Sequence, residues 1–213
     1  MSKNETKKVS RIKVKKKIWC KIFAPKIFAE REMGESFLAS PESALGRVLR
    51  INLRELTGNV KDQNAYVEFI ITKTQASNLH TVVRGYLLTP TYIKRMVRKD
   101  CNRLDDSFVT SLKDGRKIVV KTFALTIKKT HHSLHTKIRQ QVHDFFHEEA
   151  AKSDLDSLVS NLTSMRIQST LKKKLRKAYP LKEFSIRALR LLPARESATS
   201  QKEAPSVAES PGA

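Results

Sequence analysis

No apolar run in these 213 residues approaches the roughly 20 needed to cross a bilayer. Cysteine is nearly absent. Cys20 and Cys101 stand far apart, which fits neither a zinc knuckle nor a disulfide framework and leaves two isolated buried thiols as the expectation. Glycine is scarce, and no glycine-rich loop offers the backbone cradle that nucleotide phosphates need. There is no G-x-S-x-G elbow, and no Cys–His pair stands at an informative spacing. The N-terminus is cationic, but no apolar stretch follows it and Glu5 lies among the lysines. Neither a secretory nor a transit signal is therefore expected, and the cytoplasm follows by elimination. With so few glycines and prolines, most of the chain is expected to be ordered.

Negative charge is also in short supply. Forty-two Lys and Arg face 21 Asp and Glu, giving a net charge of +21. Such an excess makes a folded chain repel itself unless a polyanion supplies the counter-charge. Nucleic acid is the first candidate and an anionic membrane surface the second. The membrane reading lacks a basic amphipathic segment with large aromatics. Residues 1–17 carry +7 and residues 193–213 carry −1, which leaves +15 on residues 18–192. The charge belongs mainly to the body. Three parts are expected: a basic RNA-binding extension at 1–17, one domain at 18–192, and a disordered tail at 193–213. The tail has no bulky apolar residue except Val207 and cannot offset its ordering entropy.

Hydrophobic residues make up 39% of the chain, enough for a core. Strands are expected at 18–23, 46–56, 66–73 and 79–88, with Gly58-Asn59 as a turn after the second. Residues 108–112 and 117–127 read as a hairpin closed by Asp114-Gly115. Successive strands without regular intervening helices argue for an antiparallel sheet. A helix starts at Thr89-Pro90, with Thr89 as cap and Tyr92, Ile93, Met96 and Val97 as its apolar stripe. A second helix spans 133–151, with Leu134, Ile138, Val142 and Phe145 on one face. Residues 154–179 hold two more, and 184–192 returns as a strand.

His143 and His147, at i and i+4, could share one metal. Asp144 stands where a metalloprotease helix needs Glu, and no third ligand presents itself. Helical spacing puts both histidines opposite the Leu134/Ile138/Val142 stripe, on a solvent- or phosphate-facing surface. His131, His132 and His135 read as polar residues at the start of that helix. No catalytic residue, metal site, cofactor or small-molecule substrate is expected.

The basic clusters carry more information. Lys7, Lys8, Arg11, Lys13, Lys15, Lys16 and Lys17 form the N-terminal run. Lys94, Arg95, Arg98 and Lys99 follow Pro90. Lys128 and Lys129 combine with Lys137 and Arg139. Lys172, Lys173, Lys174, Arg176 and Lys177 precede Tyr179-Pro180. One cluster alone is more often a solvated face, but four with a basic tail suit an extended polyanion. No paired RNP aromatics and no G-x-x-G loop between helices occur, so anchoring of folded RNA is favoured over reading of single strands.

Trp19 followed by Ala24-Pro25-x-x-Phe28, then Gly46-Arg47-Val48, resembles the S-three-a (eS-one) family of archaeal and eukaryotic small-subunit ribosomal proteins. The resemblance continues through Leu88-Thr89, Lys113-Asp114-Gly115, Phe123-x-x-Thr126, Ile138-Arg139-Gln140, Tyr179-Pro180-Leu181 and Arg187. Two departures are local: Cys20 replaces a frequent aromatic, and 144–149 is unusually acidic. The resemblance implies an α+β fold, a curved, barrel-like antiparallel sheet with flanking helices. It also implies a structural protein on the ribosomal platform near the messenger exit, in contact with small-subunit ribosomal RNA and neighbouring platform proteins. A free nucleic-acid-binding or RNA-chaperone protein is the alternative. Trp19, the only tryptophan, is expected as a core anchor that fixes where the basic tail leaves the body, with a base-stacking surface as the alternative.

Overall fold

Strand-forming sequence dominates the first two-thirds of the chain, and the long helices come after it. The computed structural model describes residues 16–192. Most of the basic extension and all of the 193–213 tail therefore lie outside the described residues. Eight strands form one sheet: β1 (Ile18–Phe23), β2 (Glu32–Leu38), β3 (Val48–Asn52), β4 (Ala65–Gln75), β5 (Asn78–Leu88), β6 (Arg103–Ser111), β7 (Lys117–Thr126) and β8 (Leu181–Leu191). The helices are α1 (Leu53–Thr57), α2 (Pro90–Met96), α3 (His132–Lys152), α4 (Leu155–Thr163) and α5 (Arg166–Leu175).

The sheet runs β2-β1-β5-β8-β7-β6, and β4 pairs with both β5 and β3. It is not closed into a barrel, and the reason is β5. One edge of β5 takes β4. The other is divided: residues 78–80 pair with β1 in parallel, and residues 85–87 pair with β8 antiparallel. The sheet branches there and ends in β2, β3 and β6, so no single ring of strands can form. The parallel β1–β5 pair also departs from the expected all-antiparallel pattern.

Sequence signals and structure part at three further places. The alternation over 46–56 reads as one strand, yet Asn52 ends it. The Asn52 side chain accepts from the Arg54 N–H at 3.0 Å and starts α1, which buries Leu53 and Leu56 at helical spacing. Gly58, at φ +78°, closes that helix in the left-handed region where glycine costs least. Thr89 stands at the cap position of α2 with Pro90 after it, but its hydroxyl donates to the Asn64 carbonyl at 2.9 Å instead of capping. Trp19 is 62% exposed rather than a core anchor. A strand buries alternate residues, and Cys20 and Ile22 take the inward places in β1.

Helices α3 to α5 cover one face of the sheet. Ile138, Val142, Phe145 and Phe146 of α3 pack with Leu158, Leu171 and the inward residues of β4 to β8 in the main core. Leu134 is only partly buried at its margin. A smaller cluster holds Cys20, Ile22, Leu38, Ala44, Ile71 and Leu79. Cys20 is thus a buried thiol as expected, while Cys101 is half-buried, its thiol 3.4 Å from the Ile127 carbonyl. Leu53 and Leu56 of α1 and Ile93 of α2 join the same core, so among the described residues no α-helix covers the opposite face.

Candidate nucleic-acid interface

Cross-strand register sets the open face. Arg50 pairs with Glu68, Glu68 with Gly85, Gly85 with Arg190, and Arg190 with Val119, a row across β3, β4, β5, β8 and β7. Gly85 is required there. A Cβ at that position would stand 2.4 Å from the Leu189 carbonyl oxygen and 3.3 Å from Arg190 Cα and Cγ. Over this gap Arg190 Nη2 reaches Glu68 Oε1 at 3.2 Å, and Arg50 Nη2 reaches the same oxygen at 2.8 Å. Glu68 is buried, while the two arginine side chains remain 57% and 52% exposed. The carboxylate therefore fixes both guanidiniums and leaves N–H donors free toward solvent, the arrangement that suits bidentate phosphate contact.

These arginines line an open groove of about 590 Å³ with Tyr66, Pro90, Lys121 and Arg187. Lys121 and Arg187 also line a second depression with Asp105, Asp106, Ser107 and Arg139. The acids here are engaged. Asp105 pairs with Arg103 and lies 3.8 Å from Arg187, and Asp106 pairs with His143. The cations Arg50, Lys121, Arg187 and Arg190 were not among the expected contacts. Each sits alone between uncharged residues of a strand, so no run of charge marks it in the sequence. Only strand register gathers them. Arg139 is the one expected contact that joins this groove.

Most of the other expected contacts that are described gather on a second surface. Lys94, Arg95, Arg98 and Lys99 are exposed on α2 and just beyond it, with Arg95 over the Tyr92 ring. Asp100 then pairs with Lys129 at 3.5 Å, which brings Lys128 and Lys129 beside that cluster. Ile127 shares a groove with Lys172, Lys173 and Arg176. Lys173, Lys174, Arg176 and Lys177 are exposed at the α5 C-terminus, where cations also complement the helix dipole. Lys172 is half-buried and donates to the Lys182 carbonyl at 3.0 Å, which reduces its availability. Lys137 is exposed on α3, and Lys16 and Lys17 are exposed before β1. Lys7, Lys8, Arg11, Lys13 and Lys15 lie outside the described residues.

A family model described as the Ribosomal S3Ae family matches residues 5–194. The chain belongs to the ribosomal S3Ae family. Proteins named small ribosomal subunit protein eS1 are similar over most of its length. The one from Methanothermobacter thermautotrophicus is 31% identical over 178 residues, 84% of this chain and 91% of the relative. The one from Nanoarchaeum equitans is 33% identical over 179 residues, 84% of this chain and 90% of the relative. The one from Methanobrevibacter smithii is 29% identical, covering 87% and 96%.

Several residues that carry the S3Ae resemblance turn out to be punctuation of the fold. Gly46 and Gly115 take φ of +78° and +75° at turns. Thr126 is buried, and its hydroxyl donates to the Lys128 carbonyl at 2.8 Å. Leu88, Thr89 and Arg187 line the basic groove, and Arg139 lines the depression beside it.

The histidines of this S3Ae chain divide: His131, His132 and His147 are exposed, while His80, His135 and His143 are half-buried. Because α3 runs along β6, His143 and His147 contact the sheet edge, yet His147 stays exposed and His143 half-exposed to solvent, as expected of a solvent-facing surface. His143 Nε2 is 2.5 Å from Asp106 Oδ2, and His147 Nδ1 is 3.1 Å from Thr110 Oγ1. The Phe108 ring lies between them, 4.3 Å and 6.3 Å from the two imidazoles. Among the described residues, no three His, Cys, Asp or Glu side chains converge as a metal site. His135 lies within reach of Thr130 Oγ1 at 2.8 Å. Desolvation, with His132 and Arg139 nearby, holds it below the usual imidazole range.

Proposed function

We propose that this chain is a structural constituent of the small ribosomal subunit. It anchors to small-subunit ribosomal RNA at the platform near the messenger exit, beside neighbouring platform proteins, in the cytoplasm. The observation that carries the proposal is the pair Arg50 and Arg190, held by the buried Glu68 and continuous with Lys121 and Arg187. Membership of the S3Ae family and the names of the eS1 relatives support the same reading. The pattern is one of phosphate contact with little base reading, since long cations neutralise phosphates and release counterions. Sedimentation through a gradient at high magnesium and moderate salt tests it. The chain should remain stoichiometric with small subunits and cross-link near the 3′ end of their RNA. Recovery as a free protein or on unrelated RNA would favour the chaperone reading instead.

A further inference from the structure

The open sheet face ends, on its β1–β2 side, in an aromatic pair that phosphate anchoring does not use. Trp19 and Phe37 are directly opposite in register, with ring centroids 4.8 Å apart and planes tilted by 35°. Among the described residues they are 62% and 49% exposed. Nothing in the fold requires this exposure of an indole. Cys20, Ile22 and Leu38 fill the inward places of the two strands, and both large rings stand outward at a sheet end where self-association is a hazard.

The surroundings select the occupant. Lys17 Nζ lies 5.6 Å above the Phe37 ring, Lys16 is exposed beside it, and the +7 segment of residues 1–17 leads into this strand. Lys21 is paired with Glu32 at 3.3 Å and stands opposite Glu35 in register, so these three carry −1; Lys16 and Lys17 bring the local sum to +1, and residues 1–15 add +5 in sequence. An occupant must therefore be anionic and also present a flat apolar face. A nucleotide with an unpaired base meets both conditions. The pair also shares a face with the arginine groove. Trp19, Lys21 and Phe23 alternate outward on β1, and Phe23 pairs with His80. His80 and Val82 alternate on β5, and Val82 pairs with Ile70, which pairs with Val48. Val48 and Arg50 alternate on β3, as Ile70 and Glu68 do on β4. One RNA segment can thus hold its phosphates on the arginines and set a base on the indole.

We propose that Trp19, backed by Phe37, is a stacking platform for an unpaired base of the bound RNA. The proposal rests on the RNA-anchoring reading above. The indole packs its face on the base, while Lys16 and Lys17 contact the flanking phosphates.

Trp19 is the only tryptophan, so its emission reports the site directly. The full chain is titrated with a single-stranded RNA of about ten nucleotides, the scale of one stacking groove, and with a duplex of equal phosphate count. The single strand should quench Trp19 and the duplex should not. Trp19→Leu should weaken single-strand binding by about 5–100-fold, with duplex affinity almost unchanged and Trp19→Phe retaining most of the binding. That ratio should persist as salt rises, although both affinities fall, because stacking is not a counterion effect. Melting by circular dichroism checks that Trp19→Leu is folded, and Phe37→Ser provides a second variant. If both RNAs bind while Trp19 emission does not respond selectively, or if Trp19→Leu loses single strand and duplex equally, the stacking platform is refuted. A neighbouring protein surface would then be the better occupant. Binding of the duplex alone would likewise refute the platform, and failure of both RNAs to bind would overturn the anchoring reading along with it.

Discussion

Glu68 is a carboxylate at a buried strand position, and its two arginine partners account for it. Glu68→Gln should lower stability by about 1–3 kcal/mol in a denaturant melt, because two ordered guanidiniums would lose their shared negative charge and keep only a neutral amide oxygen as acceptor. Part of that loss returns as water, since both arginines are half-exposed. Gly85→Ala should cost about 1–3 kcal/mol, the range for forced overpacking, because the Leu189 carbonyl is backbone and cannot swing aside. Trp19→Ala should change stability by no more than about 0.5 kcal/mol, as at other surface sites. A larger loss in the same melt would mean that the indole is buried in solution. Residue identity alone did not reveal this. A tryptophan in an apolar stretch reads as core, and only the inward parity of Cys20 and Ile22 turns it outward.

At the scale of elements, α3 is held from two sides. Ile138 and Val142 enter the core, while His143 and His147 meet β6. Ile138→Ala should cost about 2–5 kcal/mol, and Leu134→Ala clearly less, because Leu134 is only partly buried. Chemical denaturation of the two variants checks the order, and equal losses would contradict the packing. The long helices and the β6–β7 hairpin were legible because periodicity and Asp114-Gly115 are local signals. Strand β2 was not. Its sequence EMGESFL is half-exposed, interrupted by glycine and rich in acid, so it lacks alternation and owes its place to pairing with β1. The division of β5 between β1 and β8 is non-local as well, so the expected curved, barrel-like antiparallel sheet gives way to a branched open one.

Residues 18–192 carry +15 in addition to the N-terminal extension, and two basic surfaces stand out among the described residues. The runs at Lys94–Lys99 and Lys172–Lys177 were visible as sequence clusters. The groove of Arg50, Lys121, Arg187 and Arg190 was not, because strand register alone brings residues so distant in sequence together. The central claim is that this groove binds RNA phosphate. Titration of a folded small-subunit RNA fragment across a salt series tests it most directly. Contact with about 6 phosphates gives log affinity against log salt a slope near −4 to −5. Arg50→Ala combined with Arg190→Ala should weaken binding and make the slope shallower by about two, one for each lost phosphate contact. An unchanged slope and affinity in that folded double variant would contradict the account.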